Sequence, residues 1–336
     1  MQNRLSSFFK TFVLAGLLGL GSAWANTPLP VVTSFSILAD VTQNIGGDRV
    51  AVQALIAADT DAHSYQMTPA DVRKIRAAKL LLVNGLGLES APLQRAMRDS
   101  NIPMAVATKG IAALTSTDGH GHGNPHMHSH GHGNSHAHSH GHGNPHMHSH
   151  GHFHDEQDPH VWQDPVRMQT YARNIADALI AADPAGRAHY EQRLATYQRE
   201  LQQLHSWAEQ QFAAVPAAQR KVLTAHDAFA YLGARYQVEF IAPLGTNSDS
   251  QPSARAVALI IQQIRKENVR AVFLENVKDA RLLQQIARET NVPVQQQALY
   301  SDALSGAQGP APTYLQLMRH NIGALAQALR QNATAR

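Results

Sequence analysis

The sequence contains no cysteine among its 336 residues. Without cysteine there are no disulfide bonds, no thiolate metal ligands and no thiol nucleophile, so disulfide-stabilised domains and thiol enzymes are excluded. There is also no N-terminal cysteine that could carry a lipid. We therefore expect a chain that is not lipid-anchored.

Long apolar runs are absent as well. The apolar run near the amino terminus covers residues 11–20, about half of the roughly 20 residues that a transmembrane helix needs. It follows two basic residues and precedes the small-x-small motif Ala23-Trp24-Ala25. These features predict a cleavable signal peptide over residues 1–25 and export to the periplasm, without an integral membrane segment.

Charged residues are few, at 16% of the chain, and nearly balanced in sign. The formal net charge is +3, and removal of the signal peptide with Arg4 and Lys10 lowers it to +1. A nearly neutral protein lacks the basic surface with which nucleic-acid-binding proteins meet phosphate. Nucleic acid is therefore not an expected partner.

Histidine, in contrast, is abundant, with 21 residues. Most of them lie between His120 and His154, where the ten-residue unit HGHGNPHMHS occurs three times with small changes and begins a fourth time. This block has no apolar periodicity, so burial cannot offset its chain entropy. We predict a disordered, metal-associating His-rich loop over residues 117–154. The histidines outside the block are His63, His160, His189, His205, His226 and His320.

Apart from this block, β-rich apolar segments alternate with amphipathic helical segments. This order predicts an α/β fold in which helices cover both faces of parallel sheets. Four strands precede the middle of the chain and four follow it, so we expect two lobes, each with a four-stranded parallel sheet flanked by helices. The predicted strands cover residues 31–36, 50–55, 80–83, 104–107, 221–224, 238–241, 271–275 and 292–296.

One long rigid helix is predicted to join the lobes. Between Gly186 and Pro216 there is neither glycine nor proline, and apolar side chains recur at helical spacing. Two shorter helices with a break near Gln202 are the alternative. The predicted domains are the signal peptide at 1–25, an N-terminal lobe at 26–185, the linking helix at 186–215 and a C-terminal lobe at 216–336.

Three histidines and one aspartate stand where a metal site could form. His63 follows the second predicted strand, His226 the fifth and Asp302 the last, while His160 comes just after the His-rich block. Open α/β sheets bind ligands at the carboxyl ends of their strands, so we expect these side chains to converge between the lobes. Three imidazoles and one carboxylate can form a closed tetrahedral zinc site.

Each of these residues also has a simpler interpretation. A single histidine after a strand is more often hydrogen-bonded or exposed than a ligand, and only its repetition at equivalent positions favours a metal. Asp302 could equally be a helix N-cap, because Ser-Asp is common there. The glycine-rich turn at 85–89 lacks a dinucleotide fingerprint and a P-loop lysine, so we expect it to line the cleft. We expect His189, His205 and His320 to be solvated, and Asp61, Asp227 and Glu275 to accept hydrogen bonds from the site imidazoles.

The motifs around these residues resemble those of a known family. In order, they are similar to the signatures of the cluster A-I substrate-binding proteins, the metal-binding receptors of bacterial ABC importers. The resemblance extends over essentially the whole chain after residue 25, except the repeat, and it implies two four-stranded lobes joined by one long helix. It also implies the metal ligands His63, His160, His226 and Asp302. The motifs are His63-Ser64-Tyr65, Val83-Asn84-Gly85-Leu86-Gly87-Leu88-Glu89, Asp158-Pro159-His160-Val161-Trp162, Thr224-Ala225-His226-Asp227-Ala228-Phe229 and Ser301-Asp302-Ala303-Leu304.

The third ligand position indicates the metal within that family. Manganese-type members tend to have glutamate there, whereas His226 resembles the zinc type, and imidazole favours zinc over manganese. Two departures from the family pattern matter. The disulfide of some zinc receptors cannot form here, and some receptors have water or another carboxylate as fourth ligand, which leaves the role of Asp302 open.

The implied function is that of a periplasmic high-affinity receptor that delivers Zn²⁺ to an ABC permease with its ATPase, without catalysis. The implied partners are this permease and a periplasmic zinc chaperone, and we expect a monomer. The His-rich loop either passes zinc inward or only scavenges it, and below about pH 6 protonated imidazoles should release the ion. The alternatives are a manganese or nickel receptor, a zinc buffer or metallochaperone without a permease, and a zinc-dependent hydrolase with Glu275 as its base.

Overall fold

The computed structural model describes residues 27–115, 157–246 and 252–334. The predicted signal peptide and the His-rich repeat lie outside these described residues. Among the described helices, none combines the length and apolarity needed to cross a bilayer.

The first sheet has the four parallel strands that the sequence predicts. Its order is β2-β1-β3-β4, and each neighbouring pair is parallel. All four residues of β3 are buried, as expected for a central strand of a sheet covered on both faces. The strands are β1 (Leu29–Phe35), β2 (Val50–Ile56), β3 (Leu80–Val83) and β4 (Met104–Val106); the helices are α1 (Ser36–Gly46), α2 (Pro69–Ala77), α3 (Ala91–Asp99) and α4 (Arg167–Ala182).

One unbroken helix of 27 residues, α5 (Arg187–Ala213), leads from the first lobe to the second. The alternative with a break near Gln202 is therefore wrong. The buried side chains of α5 extend from Tyr190 to Phe212, and the helix packs against α1, α4 and a C-terminal helix, α9 (Tyr314–Thr334). The connection is thus part of the apolar core along its length and not a bare rod.

The second sheet is parallel but smaller than predicted. It has three strands in the order β6-β5-β7. The expected fourth strand at 292–296 is wrong as a strand: it contributes a single parallel bridge, Val272 with Val294. Pro293 has no N–H for a ladder, and the three glutamines after Val294 bring no apolar side chain to the sheet. The remaining elements are β5 (Lys221–Leu223), β6 (Glu239–Ile241), β7 (Ala271–Val272), α6 (Ala230–Tyr236), α7 (Ala254–Glu267) and α8 (Arg281–Thr290).

Candidate metal centre

The four predicted ligands come from four separate loops. His63 lies in the loop 57–68 between β2 and α2, and His226 follows β5. His160 precedes a short 3-10 turn, and Asp302 lies in the loop that leads to α9. The side chain of His63 is 5% exposed, and those of the other three are 0–1% exposed. The centre is therefore almost closed to solvent.

The four side chains converge on one point. One ligand atom of each lies within 4.8 Å of those of the others. The His63 Nε2–His160 Nε2, His160 Nε2–Asp302 Oδ1 and His226 Nε2–Asp302 Oδ2 distances are 3.2, 3.3 and 3.2 Å, and His63 Nε2 lies 3.9 Å from Asp302 Oδ2. Ligand atoms at about 2.0–2.1 Å from zinc in a tetrahedron lie about 3.3 Å apart. Three of the four distances are close to this value, so the cluster is compact enough to surround one ion.

Several polar atoms at the centre have no hydrogen-bond partner within the described part of the chain. Among them are both carboxylate oxygens of Asp302 and Nε2 of His226, all buried. Burying such atoms without a partner is costly. A cation coordinated by them would satisfy all three.

Two further carboxylates lie behind the imidazoles. Asp158 Oδ1 is 2.7 Å from His160 Nδ1, and Glu275 Oε2 is 2.7 Å from His226 Nδ1. A proton on each Nδ1 leaves each Nε2 free to face the centre. Glu275 thus lies beside the ring of His226, where an acceptor was expected, and this contact also occupies the carboxylate that a hydrolase would need as its base.

The other two expected acceptors are wrong. Asp61 accepts the backbone N–H of His63 at 2.9 Å and contacts Lys278, and no contact of the Asp227 carboxylate with an imidazole is found among the described residues. Asp158, which sequence reasoning missed, stands two residues before His160, just as Asp61 stands before His63, and accepts the same backbone bond at 2.9 Å. The Asp-x-His spacing was therefore a usable signal in the sequence. Of the two aspartates, however, only Asp158 also contacts the ring of its histidine.

These contacts give the three imidazoles very different pKa values. Burial lowers the pKa of His63 to about 4. Burial acts in the same direction on His160, but the carboxylates of Asp158 and Asp302 outweigh it and raise the pKa to about 9. For His226, burial is outweighed by Glu275 and Asp302, and the pKa rises to about 10. Burial would raise the pKa of Asp302, but the neighbouring imidazoles hold it well below its usual range.

Lys278 is a further residue of the site that sequence reasoning missed. Its ammonium lies 2.7 Å from Asp61 Oδ2 and 3.7 Å from Asp302 Oδ2, and its side chain is 10% exposed. Burial lowers its pKa, but the two aspartates raise it more. A single lysine after a predicted strand carries no signal of this contact, because its partners are distant in the chain.

The glycine-rich turn supports the site from behind instead of only lining the cleft. Glu89 accepts the backbone N–H groups of Asn84 (2.7 Å) and Gly85 (3.1 Å). The side chain of Asn84 in turn donates to the carbonyl of Pro159 at 3.0 Å. Gly85 has φ +88°, and a Cβ there would meet Val106 at 2.6 Å, so only glycine fits. The turn thus fixes the chain directly before His160.

The second lobe also contacts the chain around His160, residues 157–165, here called the His160 segment. Tyr231 donates its hydroxyl to the carbonyl of Asp158 at 2.7 Å, and Arg235 forms an ion pair with Asp164 at 2.8 Å. Trp162 donates its indole N–H to the carbonyl of Ser301 at 2.8 Å. His160 is thus held by both lobes.

The three helical histidines lie away from the centre, but they are not simply solvated. Each is half-buried and has a partner: the rings of His189 and His320 contact the carbonyls of Gly46 and Ala298, and His205 contacts the hydroxyl of Tyr236. They are structural residues of the helix surfaces.

Comparison with known proteins places this centre in a family. Residues 31–328 match the family described as "ZnuA: Zinc-uptake complex component A periplasmic". Similar proteins include the metal ABC transporter substrate-binding lipoprotein FimA of Streptococcus parasanguinis (27% identical over 98% of this chain and 100% of that protein) and the iron-binding protein YfeA of Yersinia pestis (27% over 98% and 97%). Among solved structures, the Mn-bound periplasmic metal binding protein from Candidatus Liberibacter asiaticus has a TM-score of 0.73 at 27% identity, covering 90% of this chain and 100% of that one. The chain therefore belongs to the ZnuA family, the extracytoplasmic metal-binding receptors that serve the permease and ATPase of ABC importers and are not enzymes.

Proposed function

We propose that this protein is a high-affinity zinc receptor whose ligands are His63, His160, His226 and Asp302. The observation that carries the proposal is the buried cluster of three imidazole nitrogens and one carboxylate, whose ligand atoms lie within 4.8 Å of one another. Three nitrogen donors favour zinc over the oxygen-preferring manganese ion. Four protein ligands fill a tetrahedron and leave no position for a reactive water, as suits an ion that is carried and not used.

Manganese or iron is the second candidate cargo. Relatives named for manganese and for iron support it, including PsaA of Streptococcus pneumoniae and YfeA of Yersinia pestis. Manganese would need further oxygen ligands to complete its usual coordination. The donor set of this chain supplies one carboxylate, and the other nearby acids are engaged with Nδ1 atoms or with Lys278.

Delivery is part of the proposal. Zn²⁺ would pass from a monomeric receptor, free in the periplasm after loss of residues 1–25, to the permease, and a periplasmic zinc chaperone would load it. Growth on limiting zinc after deletion of the gene separates a receptor from a zinc buffer, because loss of a receptor abolishes uptake whereas loss of a buffer leaves it.

A competition titration tests the metal and the ligands together. We expect the purified protein to contain zinc and to keep it against an equal concentration of Mn²⁺. The triple variant His63→Ala, His160→Ala, His226→Ala should lose the tight site. A matched triple variant of the structural histidines, His189→Ala, His205→Ala and His320→Ala, should keep it. Displacement of zinc by equimolar Mn²⁺ would overturn the zinc assignment.

A further inference from the structure

The four proposed ligands are not held with equal firmness. His226, Asp302 and their loops belong to the second lobe. The His160 segment is joined to that lobe by buried side chains, among them Tyr231 and Trp162, which donate to backbone carbonyls at 2.7 and 2.8 Å. Although the turn at 84–89 of the first lobe also contacts this segment, His160 is thereby fixed directly to the lobe that carries His226 and Asp302.

His63 is fixed to the second lobe less directly. The loop that carries it (residues 57–68, the His63 loop) contains neither helix nor strand, and His63 is the most exposed of the four ligands. Two aspartates of this loop reach the second lobe. Asp59 bonds to the backbone of Leu304 and Gly306, each at 2.8 Å, and Asp61 pairs with Lys278 at 2.7 Å.

The pair with Lys278 is the link nearest to the ligand. The two carboxylate oxygens of Asp61 have different partners. Oδ1 accepts the backbone N–H of His63, and Oδ2 accepts a hydrogen bond from the ammonium of Lys278. One carboxylate thus separates the lysine of the second lobe from the backbone of the ligand. Both side chains are mostly buried, at 10% and 17% exposed, so the pair is less screened than a surface ion pair.

On this basis, and resting on the proposed function, we propose that Lys278 is a positioning residue that fastens the His63 loop over the bound ion and slows its release. The charge of the lysine acts in the opposite direction. Its ammonium lies 3.7 Å from Asp302 Oδ2, where it repels a cation held by that carboxylate. Removing Lys278 therefore distinguishes the two effects by the change in the rate of zinc dissociation. If the contact with Asp61 dominates, dissociation becomes faster. If the repulsion of the ion dominates, dissociation becomes slower.

Zinc dissociation from the full chain is the decisive measurement. The protein is loaded with one equivalent of Zn²⁺, so that the tightest site fills first, and the ion is chased with excess chelator in a stopped-flow instrument. For Lys278→Met we expect dissociation about ten-fold faster, as for loss of one charge-assisted hydrogen bond. Asp61→Asn should also dissociate faster, and the double variant should dissociate no faster than Lys278→Met, because both changes break the same pair.

Arg281→Met is the matched control. Arg281 pairs with Asp279 in the same loop as Lys278, but its side chain is 87% exposed, and its removal should leave the rate unchanged. Melting temperatures of the metal-free proteins verify that every variant folds. A rate for Lys278→Met that is unchanged or slower overturns the fastening role while leaving the proposed function intact. A wild-type chain that retains no zinc would overturn the proposed function itself.

Discussion

Two buried carboxylates, Asp158 and Glu275, lie directly behind the imidazoles of His160 and His226. Together with Asp302, they raise the pKa values of these rings to about 9 and about 10 against the effect of burial. In the metal-free protein at neutral pH both rings are therefore protonated, whereas His63, with a pKa of about 4, is neutral. The two protons carry the same charge as a divalent cation, so exchanging them for zinc leaves the net charge of the centre unchanged.

Zinc binding should therefore release two protons at pH 7. Three imidazoles with ordinary pKa values would together release only about 0.7 protons at this pH. Because both protons must leave, the apparent affinity falls about 100-fold for each pH unit below 8, and proton competition starts well above the pH of about 6 expected from histidine alone. Calorimetry of the first zinc equivalent, in buffers with different ionisation enthalpies, counts the protons. A count below one would contradict the raised pKa values.

Glu275→Gln should separate the role of this carboxylate from its packing. The amide can still accept the backbone N–H groups of Ala225 and His226, which Glu275 Oε1 now accepts at 2.7 and 3.1 Å. It removes the charge and turns an amide donor towards Nδ1 of His226. We expect proton release to fall from two towards one, and zinc affinity to fall about 10–100-fold, both by calorimetry.

Asp227→Asn is the control for that change. It removes a neighbouring carboxylate for which no imidazole contact is found among the described residues, so proton release should stay near two. An equal loss of affinity in both variants would mean that general negative charge, and not the contact with His226, stabilises the bound ion.

At the residue scale, the sequence was sufficient to predict that the four side chains cluster, but not to predict which groups contact them. His63, His160 and His226 stand in motifs at strand ends, so their convergence followed from topology. The carboxylate that contacts each ring could not be predicted in this way. Asp158 and Asp61 each stand two residues before a histidine, and only the direction of their side chains distinguishes them. Lys278 and Asp61 lie 217 residues apart, and such a contact exists only after both lobes have packed.

At the scale of elements, the helices were predicted well and the short strands less so. The 27-residue α5 follows from long-range helical periodicity without glycine or proline. The predicted strand at 292–296 failed because its apolar residues are interrupted by Pro293 and followed by three glutamines. A strand of this length depends on its neighbours, which a local pattern does not contain.

Helices α1 and α9 are joined through one carboxylate, Asp40. It accepts the backbone N–H of Tyr314 at 2.8 Å, and burial raises its pKa to about 6 from 3.8 in spite of this bond. The folded state thus favours the protonated form. This contribution to stability is complete below about pH 4 and is lost as the pH rises through 6.

Asp40→Asn should remove the loss of stability that accompanies ionisation of this carboxyl group. The free energy of unfolding of the wild type should fall by about 1–3 kcal/mol between pH 4 and pH 7 through this group. The variant should melt at a higher temperature than the wild type at pH 8 and at a similar one at pH 4. Asp48→Asn, at a side chain that is 92% exposed, is the control and should follow the wild type. A variant that is less stable at pH 8 would show that the charged form of Asp40 stabilises the junction.

At the scale of the whole molecule, the candidate metal centre lies beside a buried apolar cluster that both lobes share. Phe35 of the first sheet, Trp162 of the His160 segment and Tyr314 of α9 belong to the same buried cluster. The aromatic rings of Phe35 and Trp162 are 5.0 Å apart. Both lobes therefore contribute to the buried cluster beside the four proposed ligands, and all four of these residues lie in the described lobes.

Deleting residues 117–153 should therefore leave one tight zinc site with unchanged affinity. The ends of the insertion are already fixed, because Thr115 forms an antiparallel bridge with Gln157, and the N–H of Asp158 bonds to the carbonyl of Leu114 at 2.8 Å. The deletion leaves four residues between that bridged pair, the length of an ordinary hairpin loop. Equilibrium dialysis should show fewer weakly bound zinc ions and the same tight one. Loss of the tight ion in a variant that still melts cooperatively would mean that the repeat supplies a ligand, and the assignment of all four ligands to the folded lobes would be wrong.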